Sequence, residues 1–191
     1  MDNIQIVLGS KSPRRQALIK ELRFPVEVRT MDIEEVYPSD LPIAEVPEFL
    51  SKLKAEPFAN DLRQNELLVT SDTVVLLDNQ LLGKPKNETD AKNMLRSISG
   101  KIHTVVSGVC LTSLEKQVTF STKTEVHFSP LEDAQIDHYV KTFSPFDKAG
   151  SYAIQEWIGF IGVKKINGCY YNVMGLPLHD LYRAISSHFL K

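Results

Sequence analysis

Apolar positions at 4–8 alternate and then run on, the pattern of a short buried strand. Ser12-Pro13 follows at once, ahead of Leu18, Ile19 and Leu22 at helical spacing. Serine at the N-cap and proline at the first helical position make this a strand–turn–helix unit. Residues 26–30 read as a second strand and 31–44 as a polar loop holding Pro38 and Pro42. From Glu45 to about Arg63, Val46, Phe49, Leu50 and Leu53 keep helical spacing, and Pro57 kinks or ends that helix early.

Leu67 to Leu77 reads as a strand interrupted by the polar run Thr70-Ser71-Asp72-Thr73, and Asp78-Asn79 turns the chain into Leu81-Leu82. Residues 88–99 form a helix on Ala91, Met94, Leu95 and Ile98, with Gly100 just past its end. Two β-rich runs, 102–112 and 117–128, are expected as an antiparallel pair. Ser129-Pro130-Leu131-Glu132 matches a capping box that opens a helix reaching about Phe143. A β-rich region is expected at 158–173, and Pro177 starts a last helix carrying Leu178, Leu181, Tyr182, Ile185 and Phe189. Helices alternating with strands, some of them hairpin-linked, predict an α/β fold whose mixed sheet is flanked by helices.

The chain has 191 residues, so one domain spanning 1–191 is expected. Lys and Arg number 22 against 24 Asp and Glu, which excludes a generally basic domain for nucleic-acid polymers. Two cysteines, Cys110 and Cys169, lie far apart among apolar or aromatic neighbours and suit reduced, packed thiols. The N-terminus is too short and polar for a signal peptide, and no apolar run has the length of a membrane span. A cytoplasmic location without membrane partners is therefore expected.

No P-loop, dinucleotide-binding glycine motif, serine-hydrolase elbow or H-E-x-x-H motif is present, and the five histidines are scattered, suiting surface or packing roles. The chemistry concentrates elsewhere. At the first strand–helix turn, the hydroxyls of Ser10 and Ser12 precede Arg14 and Arg15 in the opening helical turn. Helix starts favour acidic residues, so two arginines there call for an anion, and helix N–H groups with guanidinium forks suit phosphate oxygens. Asp72 sits in an otherwise apolar strand, where its charge must be paired or metal-bound. Lys84 lies in the turn Gly83-Lys84-Pro85, Lys54 on a helix with largely apolar neighbours, and Glu34-Glu35 adds carboxylates. An anion cradle with carboxylates and lysines is the composition of a phosphoryl-transfer site that uses a divalent cation.

The segments Ser10-x-Ser12-Pro13-Arg14-Arg15, Ser71-Asp72-Thr73-Val74-Val75, Gly83-Lys84-Pro85, Asp147 to Gln155 and Asn172 to Leu178 occur in an order that resembles the Maf family of nucleoside triphosphate pyrophosphatases. Gln155 after Ile154 resembles the dTTP/UTP branch. The resemblance implies hydrolysis of dTTP and UTP to the monophosphate and pyrophosphate, clearing surplus or modified nucleotides. It also implies Mg²⁺ or Mn²⁺, a two-lobed α/β fold around a central cleft similar to inosine triphosphatases, and allows a homodimer. By position, Asp72 matches the family's proton acceptor, and Arg14, Thr73 and Gln155 its specificity residues. Ser10, Arg15, Glu35, Lys54 and Lys84 match residues lining the phosphate and metal site, with Asp72 and Glu35 as expected metal ligands. Two roles stay open for Asp72, base and metal ligand. Two positions depart from the family: Ala153 stands where glycine is commoner, and Glu156 where a small residue is expected, adding negative charge beside the base pocket. The rival readings are a pyrophosphatase for other modified nucleotides and a regulatory nucleotide sensor, linked to cell division, that binds without turnover.

Overall fold

In a computed structural model that describes residues 4–190, the strands are β1 (Gln5–Leu8), β2 (Val26–Val28), β3 (Glu66–Leu77), β4 (Gln80–Leu82), β5 (Ile102–Thr112), β6 (Gln117–Phe128) and β7 (Val163–Asn167). The helices are α1 (Pro13–Lys20), α2 (Val46–Ala55), α3 (Glu88–Ile98), α4 (Asp133–Phe143), α5 (Trp157–Gly162), α6 (Tyr170–Met174) and α7 (Leu178–His188). The extreme ends of the expected 1–191 domain, Met1 to Asn3 and Lys191, lie outside the described residues. The sheet is mixed, with strand order β2-β1-β3-β5-β6-β7 and β4 on β3. β1 runs parallel to β2 and β3, whereas β4 is antiparallel to β3 and β7 to β6.

The chain divides into two compact units, the first holding residues up to Thr73, Ser107–Thr122 and Gly175 onward, the second Val74–Val106 and Lys123–Met174. In the first, the buried side chains of Val7, Ala55, Phe58, Leu68 and Cys110 form one cluster. Gly108 lets α2 approach β5, because a Cβ there would stand 2.2 Å from the Pro47 carbonyl carbon and oxygen. Pro57 ends α2 as expected, and a short 3-10 turn over Glu56–Phe58 takes its place. In the second unit, a larger cluster joins Leu95, Ile98, Val126, Ile136, Tyr139, Ile154 and Ile158. Asp78 and Asn79 are both left-handed, φ 48° and 62°, the backbone that a two-residue hairpin between paired Leu77 and Gln80 demands.

Two local expectations are corrected. The helix expected to open at Ser129 begins at Asp133, because the Ser129 N–H donates to the Gly162 carbonyl and the Leu131 N–H to Ser99 Oγ. The capping partners are instead Glu132 and Gln135, whose Oε1 accepts from the Glu132 N–H at 2.8 Å. Residues 158–173, expected as β-rich, contain two short helices around β7. The apolar run Trp157-Ile158-Gly159-Phe160-Ile161-Gly162 coils because Gly159 has no Cβ; one would fall 1.9 Å from the Ile154 carbonyl oxygen. A short apolar run does not by itself separate helix from strand.

Replacing Gly108 with alanine forces α2 off β5. Overpacking of about 3 kcal/mol, the upper range for such changes, lowers Tm by roughly 6–12 °C, readable in a thermal melt. A Tm within 2 °C of the parent, allowing about 1 kcal/mol at most, removes the close approach from the account of the fold.

His103 supplies a pH test of the second unit. Its Nε2 lies 2.7 Å from the Tyr152 hydroxyl, and burial, with a smaller contribution from His127, pushes the imidazole down to about 4 from its ordinary 6.5. Between pH 6.5 and 4 the unfolded chain binds a proton that the folded chain refuses, so stability falls as pH drops through that window. Denaturant titrations at pH 7.5 and 4.5 should show the parent losing roughly 2–3 kcal/mol more than His103→Gln, the part of the window crossed above pH 4.5 converted at 1.36 kcal/mol per pKa unit. Parallel losses in the two proteins would mean that the buried imidazole does not titrate against folding.

Candidate functional site

The residues singled out from the sequence fall in both units. Ser10, Ser12, Arg14, Arg15, Glu35, Lys54, Asp72 and Thr73 belong to the first, and Lys84 and Gln155 to the second. In the first unit, Ser12 caps α1 with extended backbone, its Oγ accepting from the Arg15 N–H at 3.4 Å, and Pro13 takes the opening helical position. The Ser12 N–H donates to Ser10 Oγ at 3.2 Å, and the Gln16 amide donates to the Ser10 carbonyl at 3.1 Å. The two hydroxyls are thus tied into the turn that starts the helix. Arg14 is half-buried in the first turn beside them.

Asp72 is buried in the middle of β3. Lys54, projecting from α2, donates to Asp72 Oδ1 at 2.6 Å and lies 3.0 Å from Glu35 Oε1. The side chains of Lys54 and Asp72 are 15% and 12% exposed and that of Glu35 49%, so the pair to Asp72 is the sheltered one. Unpaired, Asp72 would carry a desolvation cost of several kcal/mol. The ammonium of Lys54 offsets this cost.

Arg15 turns inward. Its Nε donates to the Gly175 carbonyl at 2.8 Å, Nη1 to the Ser71 carbonyl at 2.7 Å and Nη2 to Thr73 Oγ1 at 3.0 Å. Thr73 Oγ1 also lies 2.8 Å from Ser107 Oγ. Desolvation lowers the Arg15 pKa, with the charge of Asp72 acting against it. The arginine clasps the strand on both sides of Asp72, and three of its five N–H groups are used within the protein. Thr73 is likewise held by neighbours.

In the second unit, Lys84 is exposed, and the Gly83 carbonyl before it accepts from the Gly150 N–H at 3.1 Å. That bond ties the lysine's turn to the loop leading to Gln155. Gly150 and Ser151 are both left-handed, φ 68° and 62°. The Gln155 Oε1 atom is buried without a hydrogen-bond partner, an acceptor suited to an incoming donor. The Glu156 carboxylate expected to add charge has partners: Tyr139 Oη donates to its Oε2 at 2.5 Å, and Lys148 Nζ, bonded to Asp147 at 2.7 Å, stands 3.5 Å from its Oε1. Sequence reading missed these partners because Tyr139 lies 17 residues away on α4. Only the acidity of Glu156 itself hinted at them.

The donor set fits a divalent cation. Glu35 and Asp72 both reach one nitrogen within 3.0 Å, so the two carboxylates converge on a single positive centre. Among the described residues no three His, Cys, Asp or Glu side chains gather to hold a metal. Two carboxylates completed by phosphate oxygens and water are the usual provision for Mg²⁺.

Paired carboxylates bridged by an ammonium, in the same unit as a hydroxyl- and arginine-rich helix start, are a composition suited to polyanions on an α/β scaffold. The chain belongs to the Maf family: the profile described as "Maf-like protein" matches residues 5–188. A relative from Christiangramia forsetii, called "dTTP/UTP pyrophosphatase", is 48% identical over 97% of this chain and 94% of its own. Relatives of the same name from Phocaeicola vulgatus and Bacteroides thetaiotaomicron are each 49% identical, over 97% and 95% of this chain and 96% and 95% of theirs. The solved Ham1 protein of Staphylococcus aureus is similar at 13% identity and TM-score 0.48, over 65% of this chain and 71% of that one.

The inward arginine gives a test. A lysine at position 15 cannot reach two carbonyls and a hydroxyl together, and hydrogen bonds from charged groups contribute about 1.5–3 kcal/mol each. Arg15→Lys should lower Tm by at least ~4 °C in a thermal melt, as one such lost bond predicts. An unchanged Tm would leave Arg15 without its structural role.

Proposed function

We propose that the chain hydrolyses dTTP and UTP to the nucleoside monophosphate and pyrophosphate, clearing surplus or modified nucleotides from a cytoplasmic pool. The observation that carries this reading is the sheltered Asp72–Lys54 pair with Glu35, in the same unit as the Ser10–Arg15 turn. Near-full-length relatives bearing the dTTP/UTP pyrophosphatase name support the substrate. The whole of 1–191 acts as one functional domain, and a homodimer is compatible with it.

Water attacks the α-phosphorus, the bond from that phosphorus to the bridging oxygen of the β-phosphate breaks, and pyrophosphate leaves with the electron pair. Asp72 takes the proton of the attacking water. Ser10, Ser12 and Arg14 hold phosphate oxygens, and the N–H groups that Arg15 keeps unused inside the protein add to them. Lys54 and Lys84 counter the charge of the departing pyrophosphate. Asp72 and Glu35 would hold Mg²⁺ or Mn²⁺, which when bound neutralises phosphate charge and acidifies water. Gln155 reads the base: an amide both accepts from N3–H and donates to O4 of uracil or thymine, whereas cytosine offers the opposite pattern. Arg14 and Thr73 complete the specificity set.

One nucleotide panel tests this reading, with Mg²⁺ present and pyrophosphate release measured. UTP and dTTP should exceed CTP in kcat/KM by at least ~10-fold, since unpaired buried groups cost about 1–3 kcal/mol each. Asp72→Asn should lose more than ~10-fold in rate, a barrier rise above ~1.4 kcal/mol. Reaction in ¹⁸O-water should label the monophosphate. Label in orthophosphate would make the chain a γ-phosphatase. Tight binding without any turnover would favour the regulatory sensor, and preference for a modified nucleotide would shift the substrate.

A further inference from the structure

Gln155 does not stand on a free loop. The Glu156 N–H donates to the Ala153 carbonyl at 3.1 Å, so residues 153–156 close a turn with Gln155 third in it. A single phenol oxygen spans the two ends of that turn. The Ala153 N–H donates to Tyr139 Oη at 3.2 Å, and Tyr139 Oη donates to Glu156 Oε2 at 2.5 Å. Tyr139 is fully buried on α4 and its ring stacks on Phe143, so the oxygen has a fixed anchor. Lys148, itself buried and bonded to Asp147 at 2.7 Å, approaches the other Glu156 oxygen. On the far side of the turn, the Ile154 carbonyl lies against Gly159, where any Cβ would meet it at 1.9 Å. Between these restraints sits the buried, unpartnered Gln155 Oε1.

We infer that Tyr139 and Glu156, steadied by Lys148, are positioning residues that fix the Gln155 amide and thereby set discrimination between bases. The inference rests on the proposed base-reading role of Gln155. An amide free to rotate can present either its oxygen or its nitrogen, and so accepts uracil and cytosine alike. A turn held at both ends fixes where the Gln155 side chain starts and, with its Oε1 already buried, narrows the patterns the amide offers, so that the wrong base leaves buried groups unpaired. Glu156, which stands where the family resemblance leads one to expect a small residue, is on this account the acceptor that completes the restraint.

The test uses the full chain and three variants, Tyr139→Phe, Glu156→Ala and Glu156→Gln, with steady-state kinetics on UTP, dTTP and CTP and a thermal melt of each. Tyr139→Phe and Glu156→Ala should lower the UTP-to-CTP ratio of kcat/KM by at least about fivefold, with the loss on UTP falling mainly on KM. Glu156→Gln, whose amide oxygen still accepts from the phenol, should keep the ratio within about twofold of the parent. Should Tyr139→Phe fail to fold, the two Glu156 variants carry the comparison. A lowered Tm with an unchanged ratio in the variants that fold would make the contacts merely structural and overturn the positioning role alone. A parent enzyme without a preference for UTP over CTP would instead overturn the base reading, and this inference with it.

Discussion

A carboxylate in the middle of an apolar strand is the constraint around which the first unit is arranged. Asp72 follows Val69 and precedes Val74 and Val75, all buried, and a charge desolvated there is costly without a cation at contact distance. Lys54 meets that need from α2. The lysine reaches Asp72 only if α2 lies close to the sheet, and Gly108 removes the side chain that would hold α2 away. The Thr70 hydroxyl, donating to the Ser51 carbonyl at 2.6 Å, ties the same helix to the same strand. One charge thus accounts for a helix position, a glycine and a threonine that hydrophobic packing alone would not require.

Arg15 completes the arrangement from the other side. Its contacts to the Ser71 carbonyl and to Thr73 bracket Asp72, while the contact to Gly175 binds in the turn before α7. The guanidinium is favoured by the carboxylate and disfavoured by its own burial, so it is held by geometry as much as by charge. Arg14, its neighbour in sequence, lies half-buried in the same first turn of α1. A helix places successive side chains about 100° apart, so one arginine can serve the interior while its neighbour faces another way.

The parts legible in the sequence were those whose causes are local. Ser12 before Pro13, Pro57 ending α2 and the left-handed Asp78-Asn79 turn each depend on a few consecutive residues, and the structure has them as expected. The convergence of Lys54 on Asp72 was suggested by composition, a cation and an anion each among apolar neighbours, and by the family resemblance, which put both at one site. The failures were non-local. The coil of Trp157–Gly162 depends on Gly159 meeting the Ile154 carbonyl, and the delayed start of α4 on bonds from Ser129 to Gly162 and from Leu131 to Ser99. Glu156 looked like an unpartnered charge because the phenol and ammonium beside it are distant in sequence or unremarkable in it. The inward turn of Arg15 depends on a carbonyl 160 residues away.

These placements also bear on how the proposed reaction balances charge. Among the candidate site residues of the first unit, the cations Arg14, Arg15 and Lys54 outnumber the carboxylates Asp72 and Glu35 by one, a small excess against a triphosphate that carries several negative charges. Lys54 is already engaged by both carboxylates, and Arg15 by three groups of the protein. An arriving triphosphate therefore either draws Lys54 away from Asp72 or brings a compensating charge with it. The first option strips a buried carboxylate of its partner, which costs several kcal/mol. In the proposed reaction, a divalent cation held by Asp72 and Glu35 would keep the carboxylate paired and leave the lysine available to the leaving group. On the proposed reading, the same electrostatics that pair Lys54 with Asp72 would favour a metal-borne substrate over a bare one.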